Sequence, residues 1–465
     1  MFEFSRDLRR VLSGSSPSVL KDTAPGNDLA MLELLPVSLL RQQAQTCEAD
    51  GRRANVEMAP LKKLEASLML QELARRTGEK AVLSRARRLA AGAAEQFELA
   101  GRQGGLARAR VEEAKCLALE DELFGGNTQR NAAKALLSGV QRGAGAAGPL
   151  ARATLVKLKA RRGLSSADRD EIIVLAQAFD EPLTALQSDN RRRTALRLFI
   201  LQTRLDRCEV IAAGGIRLRD AGLIENGLMD LRDILAKLDP NYEPLSYLRA
   251  KLLEGDLLSR LGEVRGELSL VAEGVDAFAK ALEAINRDHS PLDWAGTQTR
   301  LGVALSVLGD AMESDRPFDQ SIACFDRAMR VLQAHPDLAL HAVVAAGRAM
   351  ALARTAEITG DLAVLDAAET AYRINLGKCR PNDDPLTWAL TQLQLAQVYV
   401  ARIEITGQDN GAGEKAAVAL SASLDVFAEH GLRSMSLVAT QALERLRCEA
   451  RPGPSIKDAG ASKWS

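Results

Sequence analysis

Adjacent carboxylates are the first groups in this chain that could do chemistry, at Glu112-Glu113, Glu120-Asp121-Glu122 and Asp383-Asp384. Two acids facing one substrate atom can act as general acid and general base. Consecutive residues on a helix point in different directions, so none of these runs converges on one atom. They read as solvated faces or helix-end charges. Only four histidines occur, and none has a histidine or cysteine partner at a spacing that would put both on one helical face, which argues against a metal site. His289 beside Asp288 and His335 beside Pro336 read as turn or helix-end residues, and His341 as a packed spacer. GxxxxGK followed by Ser or Thr does not occur, the GxGxxG spacing at Gly143–Gly148 has no strand to support it, and no serine hydrolase elbow is present. The expectation is a chain with no catalytic residues, no metal and no cofactor: not an enzyme.

Arginine clusters offer a second kind of chemistry, the binding of phosphates. They stand at Arg52-Arg53, Arg75-Arg76, Arg85 with Arg87-Arg88, and Arg191-Arg192-Arg193. Nucleic acid would need them on one stripe, with aromatic rings for stacking if the strand is single. Glu65, Glu72, Glu79 and Glu95 intervene instead, and aromatics make up only 4% of the chain. The clusters therefore read as salt-bridged helix surface, and nucleic acid is not an expected partner. Six cysteines, at 47, 116, 208, 324, 379 and 448, form no CxxC. With no secretory segment they read as small buried apolar residues in a reducing compartment, so the cytoplasm is the expected location.

What must position any functional residue is a repeat. Pro244-Leu245, Pro291-Leu292 and Pro385-Leu386 lie 47 and then 94 residues apart, and each opens a similar helical stretch. The same step reaches Leu338 and a remnant at Leu432. Tyr247, Trp294, His341, Trp388 and Met435 share one register position, and Leu231, Phe278, Phe325 and Tyr372 share another. A fixed period of this size marks an array of supersecondary units. Each unit reads as two helices. Leu292, Ala295, Leu301, Ala304, Leu305 and Leu308 recur at helical steps, Gly309 ends the run, and Phe318, Ile322, Phe325, Ala328, Met329 and Leu332 form the second face. Proline suits a first helical turn, and His335-Pro336 and Arg380-Pro381 close second helices. Sustained two-residue alternation is missing, so strands are not expected.

Trp294, Leu301-Gly302, Phe325 and Ala328 resemble the tetratricopeptide repeat, a helix–turn–helix unit usually 34 residues long. Here the units are 47 residues, and Leu395-Ala396 and Asn375 depart from the pattern. The resemblance covers about Arg197 to Ala450. It implies an all-α fold, a right-handed α-solenoid of antiparallel helix pairs wound into a superhelix. It also implies a concave groove lined by first helices that holds a peptide or partner helix. By register the groove would present Arg249, Asp256 and Arg260, then Thr299 and Ser306, then Arg354 and Gln397, with Val303 and Met350 as apolar neighbours.

Before Arg197 looser helical runs start at Pro60-Leu61, Gly105-Leu106 and Pro149-Leu150. The reading is a helical lead-in or cap over 1–59, diverged helical pairs over 60–190, the 47-residue repeats over 191–450, and a disordered tail over 451–465. Gly139–Leu150 is the candidate flexible joint. Leu29–Leu40 is apolar but only twelve residues long and holds Glu33 and Pro36, too short to span a membrane. Net charge is zero, yet residues 1–200 carry a balance of +8 and the remainder −8. Opposite halves would allow head-to-tail self-association as a homo-oligomer. The function this supports is a non-catalytic interaction scaffold for a protein or peptide partner. The alternative is a ligand- or peptide-sensing regulatory solenoid acting on a signalling or transcription partner.

Overall fold

A computed structural model describes residues 32–449 apart from 126, 144, 165–166, 189–192, 380, 382–383 and 431. The tail over 451–465, the first residues of the lead-in, Arg191, Arg192, Asp383 and the side chains of Arg193 and Cys448 lie outside the described residues. Among those described every regular element is a helix. The chain forms two compact units, Met1–Leu308 with Arg327–His341, and Gly309–Asp326 with Ala342–Ser465.

The first unit begins with α1 (Val37–Arg53), α2 (Ala59–Thr77), α3 (Lys80–Leu99), α4 (Gln103–Phe124) and α5 (Asn127–Val140). It continues through α6 (Ala147–Gly163), α7 (Arg169–Gln177), α8 (Asp180–Ser188), α9 (Arg193–Leu218) and α10 (Ala221–Leu235) to α11 (Pro244–Arg265) and α12 (Leu268–Ala284). Next come α13 (Pro291–Met312) and α14 (Asp315–Leu332), which the division cuts after Leu308 and after Asp326. The second unit contains α15 (Ala339–Thr359), from Ala342 onward, with α16 (Leu362–Lys378), α17 (Pro385–Thr406), α18 (Ala412–Glu429) and α19 (Arg433–Glu449). The starts at Pro244, Pro291, Ala339, Pro385 and Arg433 keep the 47-residue step to within one residue.

Consecutive helices joined by short turns pack as antiparallel pairs, as in α2 with α3, α11 with α12 and α17 with α18. In the first unit the first helices also lie beside one another, α2 by α4, α4 by α6, α6 by α9 and α9 by α11. This is the helix-pair solenoid that tetratricopeptide repeats exemplify. Phe278, Phe325 and Tyr372 are buried, and Leu, Ala and Val supply most of the core, as their abundance over aromatics requires. Tyr247, Trp294 and Trp388, at the first ring position, are half-buried. Cys47, Cys116, Cys208 and Cys324 are buried and Cys379 half-buried.

One register position shows how the pairs close. A Cβ on Gly262 would lie 2.6 Å from Val271 Cγ2, one on Gly309 2.6 Å from Phe318, and one on Gly215 3.0 Å from Ile224. Each contact spans the turn to a residue nine positions on, so the second helix seats a large side chain on a bare backbone. In the next two units the same positions are Ala356 with Leu365 and Ile403 with Ala412, all within one apolar cluster. By the last unit the bulk has moved to the first helix, which conserves the summed volume that close packing demands.

Candidate ligand-binding cavity

The first helices of the first unit converge on a cavity of ≈ 540 Å³. A first helix packs against its neighbours on two sides and its own second helix on a third, and its remaining face lines this space. That face is neither apolar nor free. It holds seven basic and seven acidic side chains, nearly all tied into ion pairs.

At one edge the segment before α1 is drawn into the unit. Glu33, 6% exposed, accepts from the backbone N–H groups of Leu245 at 3.0 Å and Ser246 at 2.9 Å, and from Ser246 Oγ at 2.5 Å. Those two N–H groups are orphan donors in the first turn of α11, where a carboxylate is favoured by the helix dipole. Burial pushes the Glu33 carboxyl up, and the Ser246 bonds oppose that rise. The backbone of the segment is held as well. Fully buried Arg76 donates to the carbonyls of Leu35 (2.6 Å) and Leu32, and His289 Nε2 donates to the Glu33 carbonyl at 2.7 Å.

Beside it, Arg75 bridges Glu72 at 2.9 Å and Asp293 at 3.0 Å, joining α2 to α13. Burial would raise the Glu72 carboxyl, but Arg75 and Arg76 hold it down to about 2. Across the cavity Lys157 of α6 and Arg249 of α11 share Asp206 of α9 at 2.8 and 2.5 Å, and Arg249 also reaches Glu209 at 2.6 Å. Burial works against the Asp206 charge, yet Lys157 and Arg249 lower it to about 2. Arg161 meets Glu122 at 3.3 Å, and Arg300 meets Asp256 at 2.9 Å. Burial keeps the Asp256 carboxyl raised in spite of Arg300. On α4, Arg108 and Lys115 both turn to Glu112 and both lie against the Phe199 ring.

The groove residues expected from the repeat register scatter. Arg249 lines the cavity, and Asp256 supports a lining arginine. Arg260 pairs with Glu263 at 2.6 Å on its own helix and is not part of the lining. Thr299 and Ser306 are both buried, their hydroxyls donate to the Ala295 and Gly302 carbonyls one turn back, and neither is part of the cavity lining. Arg354 and Gln397 belong to the second unit. Arg354 pairs with Asp310 at 2.7 Å and with Glu357, while Gln397 is exposed. Val303 is exposed and Met350 half-buried.

Glu33, Glu72, Arg75, Arg108, Lys115 and Lys157 escaped the register because they lie outside its clear stretch, whereas Asp206 lies inside it and was not singled out. The signal that marks several of them is local. Glu72–Arg75–Arg76 and Arg108–Glu112–Lys115 are opposite charges three and four residues apart on helices whose other faces are apolar. Among the described residues no cluster of metal-ligating side chains occurs, and no helix is long and apolar enough to cross a membrane.

No protein-family model matches the chain, nor does any curated protein. Solved structures give low-identity likenesses. A Rap protein complexed with competence and sporulation factor is 11% identical over 85% of this chain and 99% of its own, with a TM-score of 0.47. A monomeric mutant of IFIT1 with Gppp-AAAA is 14% identical over 90% of each chain, with a TM-score of 0.45. A signal-transduction ATPase with a tetratricopeptide repeat sensor, from Pyrococcus horikoshii, is 12% identical over 83% of this chain and 52% of its own, with a TM-score of 0.39.

Proposed function

We propose that the first unit is a non-catalytic binding module that takes a peptide or an extended partner segment into its cavity, and that the chain works as an interaction scaffold in the cytoplasm. One observation carries this reading: first helices from successive pairs bring a balanced, mutually paired set of charges to one space. A ligand of one sign would meet as many repulsive as attractive groups there. A peptide offers amide donors, carbonyl acceptors and side chains of both signs, which is what such a wall can match. Carboxylates held low by bound arginines and lysines are poor proton carriers at neutral pH, which favours binding over acid–base catalysis.

Gly296 gives a clean test. It lines the cavity, and a Cβ there would find only Arg300 Nη1, at 3.6 Å. Gly296→Phe should fill part of the space without removing an ion pair. The full chain, immobilised and offered a randomised peptide library, is expected to retain a defined subset that Gly296→Phe no longer retains. Equal retention by both proteins would place binding elsewhere and refute the reading.

A regulatory variant of this reading is favoured by the segment around Glu33. It ties residues near the start of the chain to the N-terminus of α11, so an occupant that disturbed those contacts would be sensed across the unit.

A further inference from the structure

We propose that the face formed by α5 and α6 is a docking surface for a second copy of this chain, and that it receives the acidic ends of that copy's first helices α13, α15 and α17. Residues 127–163 hold eight Lys and Arg and no Asp or Glu. Arg130 and Lys134 stand one turn apart on α5, and Lys159 and Arg162 one turn apart on α6, which packs against it. Lys159 and Arg162 are exposed, and Arg130 and Lys134 half-buried. Arg130 donates twice to buried Asp121, at 2.9 Å each. Partial burial pushes the Lys134 ammonium down, and Arg162, Arg130 and Lys159 push it further, with Asp121 opposing. Like charges are crowded on this face, and a negatively charged partner would relieve them.

A complement recurs in the second unit. Asp310, Glu357 and Glu404 lie 47 residues apart, each in the last turn of a first helix. There the negative end of the helix dipole disfavours a carboxylate, so helix stability does not account for three of them in register. Asp310 and Glu404 are exposed and Glu357 half-buried. Arg354 joins α13 to α15 by pairing with Asp310 at 2.7 Å and with Glu357. Burial still raises the Glu357 carboxyl, and Glu404 and Asp310 add to the rise against Arg354. Rows of charge on helices packed side by side repeat about every 8–10 Å, so cations on α5 and α6 match the step between carboxylates on α13 and α15.

Other anionic partners fit less well. Residues 127–163 hold no aromatic ring on which single-stranded nucleic acid could stack. Among the described residues no large apolar side chain between Leu99 and Val174 is exposed, so nothing there would enter a lipid surface. A second copy supplies carboxylates in a fixed row. Each copy carries both faces, so contacts can run head to tail.

Sedimentation velocity of the full chain tests this at about 0.01 M and about 1 M salt, between which the screening length contracts from about 30 Å to about 3 Å. Association is expected at low salt, weakening about tenfold or more at high salt. Lys134→Glu with Lys159→Glu should give a monomer at both. So should Asp310→Lys with Glu404→Lys, which leaves the Arg354–Glu357 pair in place. Mixed together, the two variants should associate again, because each then meets faces of opposite sign; misfolded variants would not regain a salt-sensitive contact. A wild type that is monomeric at low salt, a variant that still associates alone, or a mixture that stays monomeric overturns the proposal. Retention of an oligonucleotide or of anionic vesicles by a monomeric wild type, lost in Lys134→Glu with Lys159→Glu, would overturn it in favour of that partner.

Discussion

Replacing Arg76 tests whether the segment around Glu33 is held as an integral part of the first unit. The guanidinium is fully buried and makes three directed bonds: Nε to Glu72 Oε1 at 2.6 Å, Nη1 to the Leu35 carbonyl at 2.6 Å, and Nη2 to the Leu32 carbonyl. Arg76→Met keeps most of the stem's volume, so the change is chiefly the loss of these bonds. Two backbone carbonyls lose their donor, at about 1–3 kcal/mol for each that stays buried. Glu72 keeps Arg75, at 2.9 Å, and is not orphaned. A net loss of about 3–5 kcal/mol is expected, in the range found when one partner of a buried pair is removed. Arg76→Lys restores the charge but not the planar fork, so it should recover only part of that loss.

Urea denaturation monitored by helicity gives the loss in stability, and hydrogen exchange gives its location. The Leu245 and Ser246 amides, which donate to Glu33, should exchange faster in Arg76→Met, and proteolysis near residues 32–36 should accelerate. The reasoning is refuted if Arg76→Met unfolds at the wild-type urea concentration, or if it is destabilised while those two amides keep their protection.

Glu72 is held down to about 2 against an ordinary value of 4.5, so its ionised form stabilises the fold above pH 4.5 and that contribution disappears as pH falls towards 2. At neutral pH this amounts to about 3 kcal/mol at most; Glu72→Gln should flatten the fall in stability between pH 5 and 2 in acid titrations, and an unchanged acid limb would contradict it. Gly262→Ala should destabilise by about 1–3 kcal/mol, because the added carbon would lie 2.6 Å from Val271 Cγ2 and 2.8 Å from Val271 N. Adding Val271→Ala should recover part of that loss, as the Ile403 and Ala412 arrangement suggests; a double variant no better than the single one in thermal unfolding would count against volume exchange at this register.

Much of the fold is legible in the sequence because a solenoid is local. Each pair is specified by its own helical period, a proline at N1, and a glycine or turn after it, and the step from Pro244 to Pro385 repeats the message. Second-helix anchors such as Phe278 and Tyr372 were legible for the same reason. The cavity was not. Its residues are spread over seven first helices, and what brings Asp293 to Arg75 or Glu33 to Ser246 is closure of the array across more than 200 residues. Periodicity within a helix says which residues share a face, but not whether that face meets solvent, a neighbour or a cavity. Thr299 and Ser306 show the consequence: correctly placed on a first helix, they sit on a packed face. The arginine clusters show the converse: Arg75-Arg76, read as solvated or salt-bridged surface, do pair with Glu72, but Arg76 is fully buried and holds the segment around Glu33.

A wall already paired with itself changes what binding can mean. A ligand that enters gains only the difference between its own contacts and those it displaces, since the lining charges are not waiting in water for a partner. Affinity must then come from the few groups whose pairing is incomplete, and the rest of the wall acts by exclusion: any ligand charge left opposite its like is penalised strongly in a partly buried space. Arg108, Lys115 and Glu112 are such groups, with two cations on one carboxylate oxygen and an acceptor unmet beside them. Glu33 shows the complementary case, a carboxylate from the chain itself placed on the open N-terminus of α11 and fully bonded there. The unit therefore satisfies one helix N-terminus internally and leaves the charges around Glu112 incompletely matched.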